Sequence, residues 1–400
     1  MFTLLFVVIC IIFIGLGLPD SLLGSAWPAI YSDLSLPFSY ANFITFLISL
    51  GTVLSSFFSA RLINKFGTGL LTAVSTLLTA LCLLAFSFSN SMLFFCLLSI
   101  PLGLGAGAID AALNNYTASN YSSLHMSLLH TFYGVGISIS PFLMSFALGE
   151  NNNWQRGYII VFFVMIIIAL IGFLSLPLWK KLSQKNQKKE QFSQRTLSLK
   201  QMIKVPAIRT AVIMFFCSVS LEFTCGIWAC TFLVNTQGLS EAMASRFLTF
   251  YYAGITIGRL TSGIISKFIK VEKIVYLGYS IVLVALVIMF LPLPPIYKGL
   301  SLFLIGFGNG PTFPNLTYIT PENFGKDVSQ SIIGLQMASC NTGILLMPPL
   351  FGFIAEGLGL NIFPIYLAVL YVLMVVFTII YSKQTSVLRK KRLNENIDIF

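Results

Sequence analysis

About twelve apolar runs, each near 20 residues or longer, follow one another along this chain. Roughly 20 residues is what an α-helix needs to cross the hydrocarbon core of a bilayer. The runs fall at 3–30, 40–60, 69–89, 92–118, 125–149, 157–178, 207–236, 243–266, 274–292, 299–319, 329–356 and 362–382. Charged residues make up 9% of the chain and apolar residues 56%, against about 25% charged in an ordinary soluble domain. A backbone in lipid must satisfy its own polar groups, so only helices or closed barrels can span. Barrel strands are short and alternate in polarity; these runs are too long and too evenly apolar. The chain is therefore expected to be an all-α, multi-pass membrane protein. Residues 2–19 resemble a secretory leader, but they lack a basic start and the apolar run continues past Asp20 to Ile30. They are read as a retained first helix.

The net charge of +11 reads as a topology signal rather than a nucleic-acid footprint. Lys and Arg gather in alternate loops. Arg61 and Lys65 follow the second run. Lys180, Lys181, Lys185, Lys188, Lys189, Arg195, Lys200 and Lys204 follow the sixth. Lys267, Lys270 and Lys273 follow the eighth, and Lys383, Arg389, Lys390, Lys391 and Arg392 lie near the end. The opposite loops hold little beyond Arg156, Arg246 and Lys298. The positive-inside rule then places both termini and the central loop in the cytoplasm, with the protein in the plasma (cytoplasmic) membrane. The seven cysteines lie in apolar runs without a CxxC pair. They are read as reduced packing residues.

One long polar stretch, 179–206, separates six spans from six. The expected organisation is an N-terminal six-helix bundle (1–178), a basic cytoplasmic linker (179–206), a C-terminal six-helix bundle (207–382) and a cytoplasmic tail (383–400). The two halves echo each other. ARLINKFGTGLL follows the second run and GRLTSGIISKFIKVEKI the eighth. LGLGAGAIDAALNNY in the fourth corresponds to IGFGNGPTFPNLTYI in the tenth, and YGVGISISPFLMSFALG in the fifth to NTGILLMPPLFGFIAEGLG in the eleventh. Three matches in the same order indicate an internal duplication. Repeated transporter halves place their sites near the midplane, between the halves.

This organisation resembles the major facilitator superfamily. Finer motifs resemble its fucose permease branch, whose members are proton symporters of fucose, galactose or glucose. These motifs are GLGAGAIDAALNN in the fourth span, HTFYGVG in the fifth and GFGNGPTFPNLTYI in the tenth; LEFTCGIW in the seventh resembles related members. The family's usual loop acid is absent from ARLINKFG, where Asn64 stands near its place. The resemblance implies twelve transmembrane helices in two pseudo-symmetric six-helix bundles. It also implies a role for Asp110 in proton coupling and sugar binding, and for the first-helix acid, Asp20, in coupling.

The residues themselves point the same way. Asp20 and Asp110 lie in spans without Lys or Arg. A charge at the bilayer centre costs on the order of 3 kcal/mol or more and usually marks a pathway for ions or substrate. A carboxyl there without a basic partner takes up a proton easily. Asn114 is four residues beyond Asp110, on the same helical face, and Gly103, Gly105 and Gly107 precede them. Asp20 is flanked by Gly15, Gly17, Pro19 and Gly24, the kind of interrupted helix that carriers use at binding sites. Glu222 in the seventh span reads as a third uncompensated acid. The plainer reading of all three is a buried carboxyl bonded to a neighbouring helix. Asn114, His130, Tyr133, Asn309, Asn315, Gln336 and Asn341 are candidate partners for substrate hydroxyls, and Trp27 and Trp228 candidate stacking faces. Taken singly, each reads rather as packing or an interhelical bond; the gathering of Asn309, Asn315, Gln336 and Asn341 in the tenth and eleventh spans is what suggests a site. His130 also suits a proton relay. A metal site is not expected, since the other histidine, His125, lies near a helix end.

The leading expectation is a proton-coupled carrier of a small neutral polyhydroxylated solute, such as a sugar, working by alternating access. No Lys or Arg is counted among the central groups, which argues against an anionic substrate. Two other readings stand beside it: a proton-coupled exporter of cationic or amphipathic compounds, and a non-transporting sensor or receptor of the same fold. An enzyme is not expected, because no nucleophile–base pair is visible. No phosphate loop and no cofactor are expected either. The coupling ion is the proton, with sodium at Asp20, Asp110 and Asn114 as the alternative. The expected partners are the small-molecule substrate and the lipid bilayer, with no nucleic acid and a monomeric state.

Overall fold

Lipid offers backbone groups no partner, so each N–H must find a carbonyl within its own segment. Every regular element among the described residues is accordingly helical. The computed structural model describes residues 2–121, 123–149, 153–183, 197–325 and 328–395. The first half comprises α1 (Phe2–Asp33), α2 (Ala41–Phe66), α3 (Thr68–Ser87), α4 (Met92–Asn120), α5 (Ser123–Gly149) and α6 (Trp154–Leu174). Two short helices follow, α7 (Leu176–Ser183) and α8 (Leu199–Lys204). Between them lies the middle of the expected linker, with Lys185, Lys188, Lys189 and Arg195, outside the described residues. The second half comprises α9 (Pro206–Gln237), α10 (Glu241–Ile265), α11 (Val271–Phe290), α12 (Pro295–Asn309), α13 (Thr312–Tyr318), α14 (Thr320–Phe324), α15 (Ser329–Leu358) and α16 (Phe363–Glu395).

Ten of the described helices are long and apolar enough to cross a membrane. The two further expected spans, the eighth and the tenth, are the polar ones. Helix α10 carries Glu241, Arg246 and Arg259 along its 25 residues. The tenth span is broken at Gly310–Pro311 into α12, with 15 residues, and α13, with 7. At the chain's end, α16 runs on to Glu395, so residues 383–395 of the expected tail are helical. Arg389 holds this extension against the bundle, bonding Glu272 at 3.0 Å, Glu322 at 2.8 Å and the Asn323 amide oxygen.

The two halves pack by one plan. Helix α1 lies on α5, α2 on α4, α3 on α4 and α1 on α6; correspondingly α9 lies on α15, α10 on α12, α11 on α12 and α9 on α16. The glycine triplets explain this repeat. A Cβ at Gly103 would collide with the Ile48 carbonyl of α2, and one at Gly306 with the Tyr251 carbonyl of α10. One at Gly105 would strike Thr79 of α3, and one at Gly308 the Gly278 carbonyl of α11. Small residues at these places let helix backbones touch where lipid supplies no hydrophobic drive.

The bundles meet along α1–α9, α5–α10 and α2–α15. Toward the end that holds the α1–α2 and α9–α10 loops, the Asn235 amide donates to the Tyr31 hydroxyl at 2.7 Å. Ser245 Oγ donates to the Pro141 carbonyl at 2.7 Å, and the Phe38 ring meets Trp228 edge-on at 6.1 Å. This end of the molecule is sealed.

Candidate functional site

Asp20 follows Pro19 midway along α1. Gly17 lets α5 come close, since a Cβ there would lie 2.5 Å from the Tyr133 carbonyl oxygen. That approach brings the Tyr133 hydroxyl to Asp20, where it donates to Oδ2 at 2.6 Å. On α4, the Asn114 amide donates to Asp110 Oδ1 at 2.7 Å, the bond their four-residue spacing implies. Asp110 lies within electrostatic range of Asp20. Both carboxylates are half-buried, and among the described residues neither forms an ion pair. His130 lies one turn before Tyr133 on α5, and both rings meet Phe13, at 5.8 and 6.4 Å. The first half therefore brings Tyr133 to Asp20 and Asn114 to Asp110, with His130 one turn from Tyr133 and within electrostatic range of Arg259.

Glu222 requires a correction, because it is compensated. The Arg259 guanidinium lies 3.1 Å from its carboxylate, and both side chains are nearly buried, at 13% and 10% exposure. The Tyr251 hydroxyl also donates to the Glu222 backbone carbonyl at 2.9 Å. Arg259 belongs to GRLTSG, which lies inside the expected span 243–266 although it matches the loop motif after the second span. In the structure α10 runs from Glu241 to Ile265 and carries Arg259 inside the bundle and against α9. The central helices thus do contain an arginine.

A further repeat escaped the sequence reading. Asp20 stands four residues before Gly24, and Glu222 four residues before Gly226. A Cβ at Gly24 would collide with the Gly226 carbonyl oxygen, so α1 and α9 cross at these two glycines. The two acids are counterparts, one turn from the crossing point. The Tyr252 hydroxyl packs directly on Gly226 and lies within electrostatic range of both acids. Tyr133 likewise lies within range of both.

Most of the other candidates are satisfied inside the protein. Trp27 and Trp228 are fully buried. Their Nε1 groups donate to the Phe38 carbonyl at 2.7 Å and the Pro348 carbonyl at 2.8 Å. These rings pack the sealed end and offer no open stacking face. Asn309 bonds Ser218 of α9, Asn315 donates to Ser262 of α10 at 2.7 Å, and Gln336 pairs with Thr320. Asn341 alone of this set is exposed. Trp228→Phe should therefore keep the aromatic packing and lose one buried hydrogen bond, lowering stability by about 1–2 kcal/mol. Thermal unfolding and a transport KM measured together test this. A tenfold higher KM at unchanged stability would return Trp228 to the binding site.

The profile of the Major Facilitator Superfamily matches residues 5–342. The chain belongs to this superfamily. Bypass of stop codon protein 6 of Saccharomyces cerevisiae is 24% identical over 414 residues, covering 94% of this chain and 82% of that protein. The glucose/mannose transporter GlcP of Bacillus subtilis is 23% identical over 286 residues, covering 70% of each chain. A solved structure of a variant of the nucleoside transporter NupG superposes with a TM-score of 0.71. It is 14% identical and covers 94% of this chain and 98% of that one. The major facilitator fold and its two-bundle plan account for the repeated packing of α1–α6 and α9–α16. The protein is a multi-pass integral membrane protein with the family and fold of transporters.

Proposed function

We propose that this major facilitator carries a small neutral polyhydroxylated solute, most simply a monosaccharide, in symport with protons. One observation carries the reading: the half-buried Asp20 on α1 and Asp110 on α4 lie within electrostatic range, each bonded by a neutral side chain and, among the described residues, neither by a cation. Carboxyls with neutral partners and no fixed counter-charge are free to exchange a proton where water reaches them. They can take up a proton on one side and release it on the other. Tyr133, Asn114 and His130 beside them offer donors and acceptors to sugar hydroxyls. The similarity to a glucose/mannose transporter supports the substrate class. The net balance of the central groups is still acidic, with Asp20, Asp110 and Glu222 against Arg259, which disfavours a second negative charge. Both termini lie in the cytoplasm on this reading, in the plasma membrane, and the sealed end then faces outward.

Substrate class is tested by thermal shift of the purified carrier against sugars, amines, nucleosides and organic acids. Stabilisation by a neutral sugar, and loss of that stabilisation in Asp20→Asn or Tyr133→Phe, is the expected result. Stabilisation by organic anions alone would overturn the substrate class. Stabilisation by amines alone would favour a proton-driven exporter.

A further inference from the structure

The break in the tenth span lies at Gly310–Pro311, and Pro314 follows in the first turn of α13. Proline has no N–H, so Pro314 leaves the Gly310 carbonyl, four residues back, without its helical donor. Arg259 fills that place. Its Nε donates to the Gly310 oxygen at 3.2 Å, while its Nη2 reaches Glu222 at 3.1 Å. Three residues further along α10, Ser262 accepts from Asn315 of α13 at 2.7 Å. Helix α10 therefore holds both sides of the break: Gly310 at the end of α12 through Arg259, and α13 through Ser262. Glu222 on α9 orients the guanidinium that makes the first of these bonds.

We infer that Arg259 is a positioning residue for transport: it fastens the broken tenth span to α10, and Glu222 sets the strength of that grip. This goes beyond the proposed function and does not depend on which solute or ion is carried. The planar guanidinium satisfies two acceptors on different helices at once. A lysine ammonium, a point charge on a flexible stem, does not reproduce that fork. Replacing Glu222 by a neutral side chain weakens the hold on the guanidinium, and with it the hold on the Gly310 carbonyl. In this way an acid on α9 acts on the bend of a span it does not belong to. Discontinuous helices of this kind line substrate and ion sites in transporters, so the shape of the break bears on transport.

The test reads the bend directly. Spin labels at Ile296 and Tyr318, both well exposed, mark the two ends of the tenth span. Pulsed electron–electron distances in the full-length carrier are expected to be narrow with native Arg259. In Arg259→Gln and Arg259→Lys the distribution should be at least twofold wider, and in Glu222→Gln intermediate. A label pair within the first half should stay unchanged. Solute turnover should fall at least tenfold in both Arg259 variants, with the first half still binding ligand. If Arg259→Gln is recovered unfolded, Arg259→Lys and Glu222→Gln carry the test. Native-width distributions in these variants would overturn the inference, as would full recovery of width and turnover in Arg259→Lys, since that would reduce Arg259 to a counter-charge for Glu222.

Discussion

Asp110→Asn is expected to abolish uphill accumulation of solute while leaving binding and exchange largely intact. Asparagine has nearly the shape of a protonated aspartic acid and can still pair with Asn114, whose amide now donates to Asp110 Oδ1 at 2.7 Å. It cannot release a proton. In one-to-one symport, a gradient of one pH unit stores about 1.4 kcal/mol, enough for about tenfold accumulation. The variant should bring the ratio of inside to outside solute down to one under the same gradient. Counterflow of labelled solute, which needs no net proton movement, should persist. A variant that still accumulates solute with normal pH dependence would remove Asp110 from the coupling mechanism.

The second large effect concerns the crossing of α1 and α9. Gly24→Val puts a branched side chain where even a Cβ would collide with the Gly226 carbonyl oxygen. Backbone cannot yield as a flexible side chain can, so the bundles must separate at the sealed end. A bias of about 3 kcal/mol against the sealed conformer changes its population more than a hundredfold. The contacts inside each bundle are untouched, so the variant should fold. Labels at Ser32 and Met243, both exposed and flanking the seal, should move apart, and net transport should be lost. Gly24→Ala should do the same more weakly. A native distance and native turnover in Gly24→Val would show that the helices do not need this close approach.

Hydropathy located the helices well because burial in lipid is set by local composition. The expected span 92–118 is observed as Met92–Asn120, and 207–236 as Pro206–Gln237. The bond between Asp110 and Asn114 was legible because it lies within one helix at i, i+4. The bond between Asp20 and Tyr133 was not, because the partners are 113 positions apart and meet through the close approach of α1 and α5 at Gly17 and Gly136. Arg259 was overlooked for a related reason. It sits in a stretch that resembles a loop signature, and its partner Glu222 lies on another helix, 37 residues away. Averaged hydropathy also passed over the break at Gly310–Pro311, since it counts apolar atoms and not the N–H groups missing at Pro311 and Pro314. Trp27 and Trp228 looked like stacking faces because composition does not say which side of a helix faces a cavity. Their indole N–H bonds to backbone carbonyls answer that question.

The central claim is that solute and proton move together through the site of Asp20 and Asp110. It is tested most directly by measuring both fluxes at once in proteoliposomes with imposed pH and sodium gradients. The account predicts that adding a neutral sugar alkalinises the external medium as sugar enters, with no requirement for sodium, and that both signals vanish together in Asp110→Asn. Sugar entry that depends strictly on sodium, or that leaves the external pH unchanged, would contradict it.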